Sequence, residues 1–103
     1  MRGRPSALNG RQVRHLRSLA HHLEPVVLVG KEGVTDAVVR AGWQALADHE
    51  LIKVKLPQVE KAERTEMAQH LKRALSAQLV DAIGRIVILY RRHPEKPKIA
   101  LPG

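Results

Sequence analysis

The chain has 103 residues, 44% of them apolar, with 18 Lys and Arg against 10 Asp and Glu, a formal net charge of +8 and no cysteine. That is enough chain and apolar content for one packed domain, and the cationic surplus points to nucleic acid or an anionic membrane surface as partner. Disulfides and thiolate-metal sites are excluded, a reducing compartment is favoured, and no run approaches the ~18 apolar residues of a spanning helix or forms a signal peptide.

Residues 1–7 are expected to be a flexible basic tail. Residues 9–23 then repeat at helical spacing. At about 100° per residue, Val13, Leu16, Leu19, Ala20 and Leu23 share one arc, and Arg11, Arg14, His15, Arg17, His21 and His22 fill the opposite one. Asn9 can cap this helix and Pro25 ends it. Residues 25–29, PVVLV, are β-branched and bounded by Pro and Gly, and read as a buried strand. Beyond a GKEG turn, Thr35 can cap a helix running through Asp48, with Val34, Ala37, Val38, Ala41, Ala45 and Leu46 on one side. Residues 50–56 alternate: Ile52, Val54 and Leu56 face one way, Lys53 and Lys55 the other, with Leu51.

Pro57 stops that strand. A third helix is expected over residues 59–78, with Met67, Ala68, Leu71, Ala74 and Leu75 inward and a mixed-charge outer side. Residues 79–83 and 85–90 read as a hairpin around Gly84, and residues 93–103 as an extended, proline-punctuated tail. The order α-β-α-β-α-β-β predicts an α/β two-layer sandwich on a four-stranded mixed sheet, parallel where helices intervene and antiparallel in the last hairpin.

Two features carry chemistry. Gly30, Lys31, Glu32 and Gly33 lie between a strand and a helix N-terminus, where unpaired N–H groups and the helix dipole attract anions. Glycines let a phosphodiester backbone approach without a Cβ in the way, and Lys31 adds a mobile cation, while Glu32 and Asp36 bring opposing charge. The spacing is not a Walker loop, which removes nucleotide hydrolysis from consideration. The second feature is the stripe of Arg11, Arg14, Arg17, His21 and His22, which no acid neutralises at helical spacing. A solvated helix face ordinarily mixes signs, as the third helix does with Glu60, Lys61, Glu63, Arg64 and Glu66. Arg91 and Arg92, after the last strand, are candidates to flank the loop.

The other polar residues have plainer readings. Six histidines lack the spacing of a metal site, and neighbouring His49 and Glu50 lack anything to orient a nucleophile. His49 is expected to end the second helix and Glu50 to pair with a basic neighbour. Lys53 and Lys55 either extend the basic surface or sit in solvent; Trp43 is core, half-buried or a stacking platform; Arg85 is exposed. Trp43 and Tyr90 are the only aromatic residues among Phe, Trp and Tyr, so nucleic-acid contact should be mainly to phosphate and shape.

The runs LRSLAHHLEPVVLVGKEGVTDAVV, ALADHELIKVKL and IGRIVILYRR, spanning roughly residues 8–92, resemble the CRM domain, the RNA-binding domain of chloroplast splicing and ribosome-maturation factors. Its stand-alone bacterial form is YhbY-like, which IALP near the end also resembles. The resemblance implies a fold similar to the C-terminal domain of translation initiation factor three and a loop like that of KH domains, here Gly30 to Gly33. It also implies RNA binding on precursors of the large ribosomal subunit. Its other motifs fall on Leu16, Arg17, Ala20, His21, Leu23 and Pro25, on His49 to Val54, and on Tyr90 and Arg91.

The expectation is therefore a cytoplasmic, monomeric, non-enzymatic protein that binds ribosomal RNA, with no cofactor, metal, membrane or small-molecule substrate. The alternatives are a ribosome-associated protein-interaction module and a non-specific DNA-binding protein.

Overall fold

Asn9 and Gln12 start the first helix as a reciprocal cap: the Gln12 N–H donates to the Asn9 side chain at 2.9 Å, and the Asn9 N–H to the Gln12 side chain at 3.0 Å. Such a cap is worth about 1 kcal/mol. The computed structural model describes residues 7–103; the basic tail expected over residues 1–7 thus lies, Ala7 aside, outside the described residues. The elements are α1 (Gly10–Ala20), β1 (Pro25–Leu28), α2 (Asp36–His49), β2 (Leu51–Lys55), α3 (Lys61–Ala74), β3 (Gln78–Ile83) and β4 (Ile86–Tyr90). Class, element order and mixed four-stranded sheet are as expected. The strands lie in the order β1-β2-β4-β3, with β1 parallel to β2 and the other neighbours antiparallel.

One refinement concerns the layers. Val87 and Leu89 of β4 join Ile52, Val54, Leu46, Leu71 and Leu75 in a cluster beneath α2 and α3. The intervening Ile88 and Tyr90 join Leu51, Val80, Leu16 and Ala20 beneath α1. Successive strand residues point to opposite faces, so helices cover both faces of the sheet and α1 makes a third layer. Four consecutive buried apolar residues, Val87 to Tyr90, are what a strand covered on both sides requires. Each fully buried Leu or Ile in these clusters stabilises the fold by about 2 kcal/mol.

Several boundaries differ from expectation. α1 ends at Ala20, with His21 as its C-cap and a turn closed by the Leu23 N–H donating to the Ala20 carbonyl at 2.9 Å. Leu19 and Leu23, expected inward, are more than a third exposed, because α1 meets the buried part of the sheet through Leu16 and Ala20, with Val13 packed beside them. β1 is buried on one face only: Val27 and Val29 are covered, while Val26 and Leu28 are 52% and 69% exposed. As an edge strand it reaches beyond what α1 covers.

α3 stops at Ala74, four residues before the expected end. Ser76 takes φ +48°, the Ser76 N–H donates to Arg73 O at 3.2 Å and the Ala77 N–H to Lys72 O at 3.0 Å. That pair of bonds is a Schellman motif with serine in the position glycine favours.

Glu50 does not pair with a basic side chain. It is fully buried, at φ +64°, and its carboxylate accepts from three backbone N–H groups: His93 at 2.7 Å and Lys98 and Ile99 at 2.9 Å each. Its carbonyl accepts from the Arg91 N–H at 2.9 Å. Residues 93–103 contain no helix or strand, yet they are tied down. Ile99 and Leu101 pack under α1, and the Pro102 and Gly103 carbonyls accept from the Gln12 and Asn9 side chains at 3.0 and 3.3 Å.

Candidate nucleic-acid interface

The glycine loop begins where β1 ends. The Val29 N–H donates to Lys55 O at 2.9 Å, the Gly33 N–H to Gly30 O at 2.9 Å, and the Thr35 N–H to Gly33 O at 3.0 Å. Thr35 then caps α2 by accepting from the Val38 N–H at 3.2 Å. The chain is thus bent into a tight turn whose tip, Lys31 and Glu32, is exposed. Among the described residues the N–H groups of that tip have no acceptor. The two glycines differ in kind. Gly33 sits at φ +84°, a conformation that disfavours any side chain. Gly30 has no such angle, and a Cβ built on it meets nothing within 4 Å. Nothing inside the described fold demands glycine at position 30.

The loop shares its end of the sheet with other cations. Lys55 is exposed and pairs in register with Leu28. Arg85, in the hairpin turn, is exposed and anchored by its Nε donating to Leu56 O at 3.0 Å. Asp36 occupies the first turn of α2, where a carboxylate suits the helix dipole.

The basic side of α1 forms a second group. Arg11, Arg14, Arg17, His21 and His22 are all exposed, and Arg14, Arg17, His21 and His22 line one shallow concavity with Ser18. The His21 and His22 rings, just beyond the helix, meet edge to face with centroids 5.2 Å apart. Arg17 is not wholly without an acid: its Nε lies 3.0 Å from an Asp81 oxygen contributed by β3. Helical spacing cannot reveal a partner from a distant strand. With the Arg17 side chain 51% exposed, such a pair is worth about 0–1 kcal/mol, so little holds the guanidinium back from a phosphate.

Among the described residues no hydrogen bond or ion pair joins the loop to α1. Loop and helix border one sheet face, because Lys55, Lys53 and Leu51 share the α1 side of β2. Lys55 abuts the loop, and Lys53 pairs with Ile88, which lies under α1. The cations therefore run from Lys31 through Lys55 and Lys53 to α1.

Arg91 and Arg92 do not flank the loop. β4 runs antiparallel to β2, which carries them to the opposite end of the sheet, beside Glu50. Arg91 serves the fold there: its Nη1 donates to Leu75 O at 2.9 Å, and its guanidinium lies 3.9 Å from the centre of the half-exposed Trp43 ring. Burial lowers its pKa from the usual value, and it remains charged. Arg92 is exposed.

Leu28 and Ile83 were not legible as surface groups, because an apolar run looks the same whether its strand lies at a covered centre or a bare edge. Among the described residues no helix is long and apolar enough to cross a membrane, and no group of three or more His, Cys, Asp or Glu could hold a metal ion.

Residues 8–91 match the family model of the CRS1 / YhbY (CRM) domain. The chain belongs to that family. It is similar to "Probable RNA-binding protein YqeI" of Bacillus subtilis, with 41% identity over 95 residues, 92% of this chain and 99% of the relative. It is 39% identical over 97 residues to "RNA-binding protein" of Haemophilus influenzae, covering 94% and 97% of the two chains. The solution structure of the hypothetical protein SAV1595 from Staphylococcus aureus superposes with a TM-score of 0.81 at 36% identity, covering 93% of this CRM-family chain and all of the other.

Proposed function

We propose that this CRM-family protein binds RNA as a non-enzymatic factor, and that its target is ribosomal RNA in precursors of the large subunit. The 30–33 loop and Lys31 hold backbone phosphates, and the arginines of α1 grip the adjoining strand. The observation that carries the clamp is Gly30: an exposed glycine that neither its φ nor its neighbours require, at an amide-rich turn next to Lys31 and Lys55. A missing side chain that no neighbour within the fold exploits makes sense when the neighbour is a ligand. RNA as the polyanion is supported by the family and by its relatives in Bacillus subtilis and Haemophilus influenzae, which carry the name of RNA-binding proteins; the ribosomal target rests on the family resemblance.

Filter binding to large-subunit ribosomal RNA fragments across a salt series tests this. Lys31→Ala is expected to weaken binding about 3- to 10-fold and to flatten the log–log salt slope by about 0.7. Gly30→Ala is expected to weaken it as well, with an unchanged thermal midpoint. Should both variants bind as tightly as the parent at equal salt, the clamp is wrong. Equal competition by duplex DNA would remove RNA as the preferred partner.

A further inference from the structure

Across the α1 side of the sheet, the strand register sets Leu28 beside Lys55, Lys55 beside Ile86, and Ile86 beside Ile83. One row of side chains therefore spans all four strands at the end nearest the glycine loop. α1 does not cover it. Leu28 is 69% exposed and Ile83 58%, Lys55 is exposed, and Ile86 is half-buried against the cluster under α1. The next row holds Lys53, Ile88 and Asp81, with Asp81 taken by Arg17 at 3.0 Å.

We propose that this open row is a platform for unpaired bases of the bound RNA, with Lys55 holding a phosphate between the loop and α1. This rests on the RNA-binding function proposed above and goes further, assigning a place to the bases as well as to the backbone. Bare aliphatic side chains gathered on a small soluble domain mark a contact surface. The charge around them selects the occupant. Lys53 and Lys55 stand in the rows, Lys31 follows the end of β1 on one side and Arg17 reaches Asp81 from α1 on the other, while the single carboxylate of these rows already has its cation. A surface both greasy and cationic suits a polymer with flat apolar faces on an anionic backbone. The row is about 14 Å across, from strand spacing, the span of a few nucleotides. With no aromatic side chain in it, stacking is replaced by dispersion and burial against Leu and Ile.

The test compares three RNAs: an unpaired oligoadenylate, the same strand carrying abasic sugars, and a fully paired duplex. The parent is expected to prefer oligoadenylate to both. The double variant Leu28→Ala, Ile83→Ala is expected to lose about tenfold of the preference for oligoadenylate over the abasic strand. Lys31→Ala should weaken both strands equally. Both apolar positions are exposed, so the urea midpoint of the double variant should match the parent and exclude unfolding as the cause. If the double variant keeps the parental preference while Lys31→Ala weakens binding, the bases lie elsewhere and only the platform fails. If Lys31→Ala is also without effect, the clamp fails with it. If the double variant instead abolishes self-association seen by sedimentation, the row is an interface between copies and the platform is overturned.

Discussion

Glu50 shows how a single side chain can be misread from its neighbours. In the run DHELIK it stands among polar residues at the end of a helix, and a surface ion pair is the ordinary reading. The three N–H groups that occupy it come from residues 43 to 49 positions later, a distance at which no sequence pattern operates. Its φ of +64° costs on the order of 1 kcal/mol, which the bonds to its carboxylate offset. Tyr90, in the cluster on the α1 side, is simpler. Its hydroxyl is buried and has no hydrogen-bond partner among the described residues. Burial raises its pKa above 10.0, the Glu50 carboxylate raises it further, and Arg92 acts the other way. A folded-state pKa above the unfolded one means stability that is intact below about pH 10 and lost as pH climbs through the folded value. Tyr90→Phe is therefore expected to be neutral or slightly stabilising near pH 7 and to lose less stability than the parent between about pH 9 and 11. Urea midpoints for both proteins across that range measure the difference; parallel pH curves would refute it.

At the scale of elements, patterning was informative where one face is buried and silent where geometry is long-range. The alternation of residues 51–55 and the caps at Asn9 and Thr35 were legible because each is a local signal. The sheet face chosen by α1 was not, since helical periodicity defines an apolar arc without saying what it meets. The uninterrupted apolar run of β4 did contain that information, as a strand covered on both sides. The early end of α3 was hidden because serine, not glycine, takes the left-handed position at 76. Ser76→Gly is expected to relieve that strain and stabilise the domain by about 0.5–1 kcal/mol, read as a rise in thermal midpoint. A fall would mean that the serine side chain contributes more than its conformation costs.

Over the whole molecule, the cations on the α1 side of the sheet form one run, from Lys31 through Lys55 and Lys53 to the outer side of α1, with Arg85 at the loop end, while Arg91 and Arg92 stand apart at the opposite end of the sheet. Motif and helical spacing pointed to Lys31 and to the arginines of α1, whereas nothing in the sequence assigned Lys55 or Arg85 to the loop. The spatial relation of loop and helix depends on strand order and on the layer α1 occupies, so it was not legible. What holds α1 over its face is partly residues 93–103, fastened at Glu50 and again at Asn9 and Gln12. Glu50→Gln replaces one carboxylate oxygen by a donor facing N–H groups, and is expected to cost about 2–3 kcal/mol. Hydrogen exchange should then quicken in α1 and residues 93–99 more than in α2; an even loss of protection throughout would contradict this division.

The knot at Glu50 thus has reach beyond stability. A polyanion lying on the outer side of α1, as proposed above, would be separated from that carboxylate by the helix and its packing, yet the tail that Glu50 fastens also holds Asn9 and Gln12 at the start of that helix. Grip would be tuned from within, by a group that no bound strand can touch.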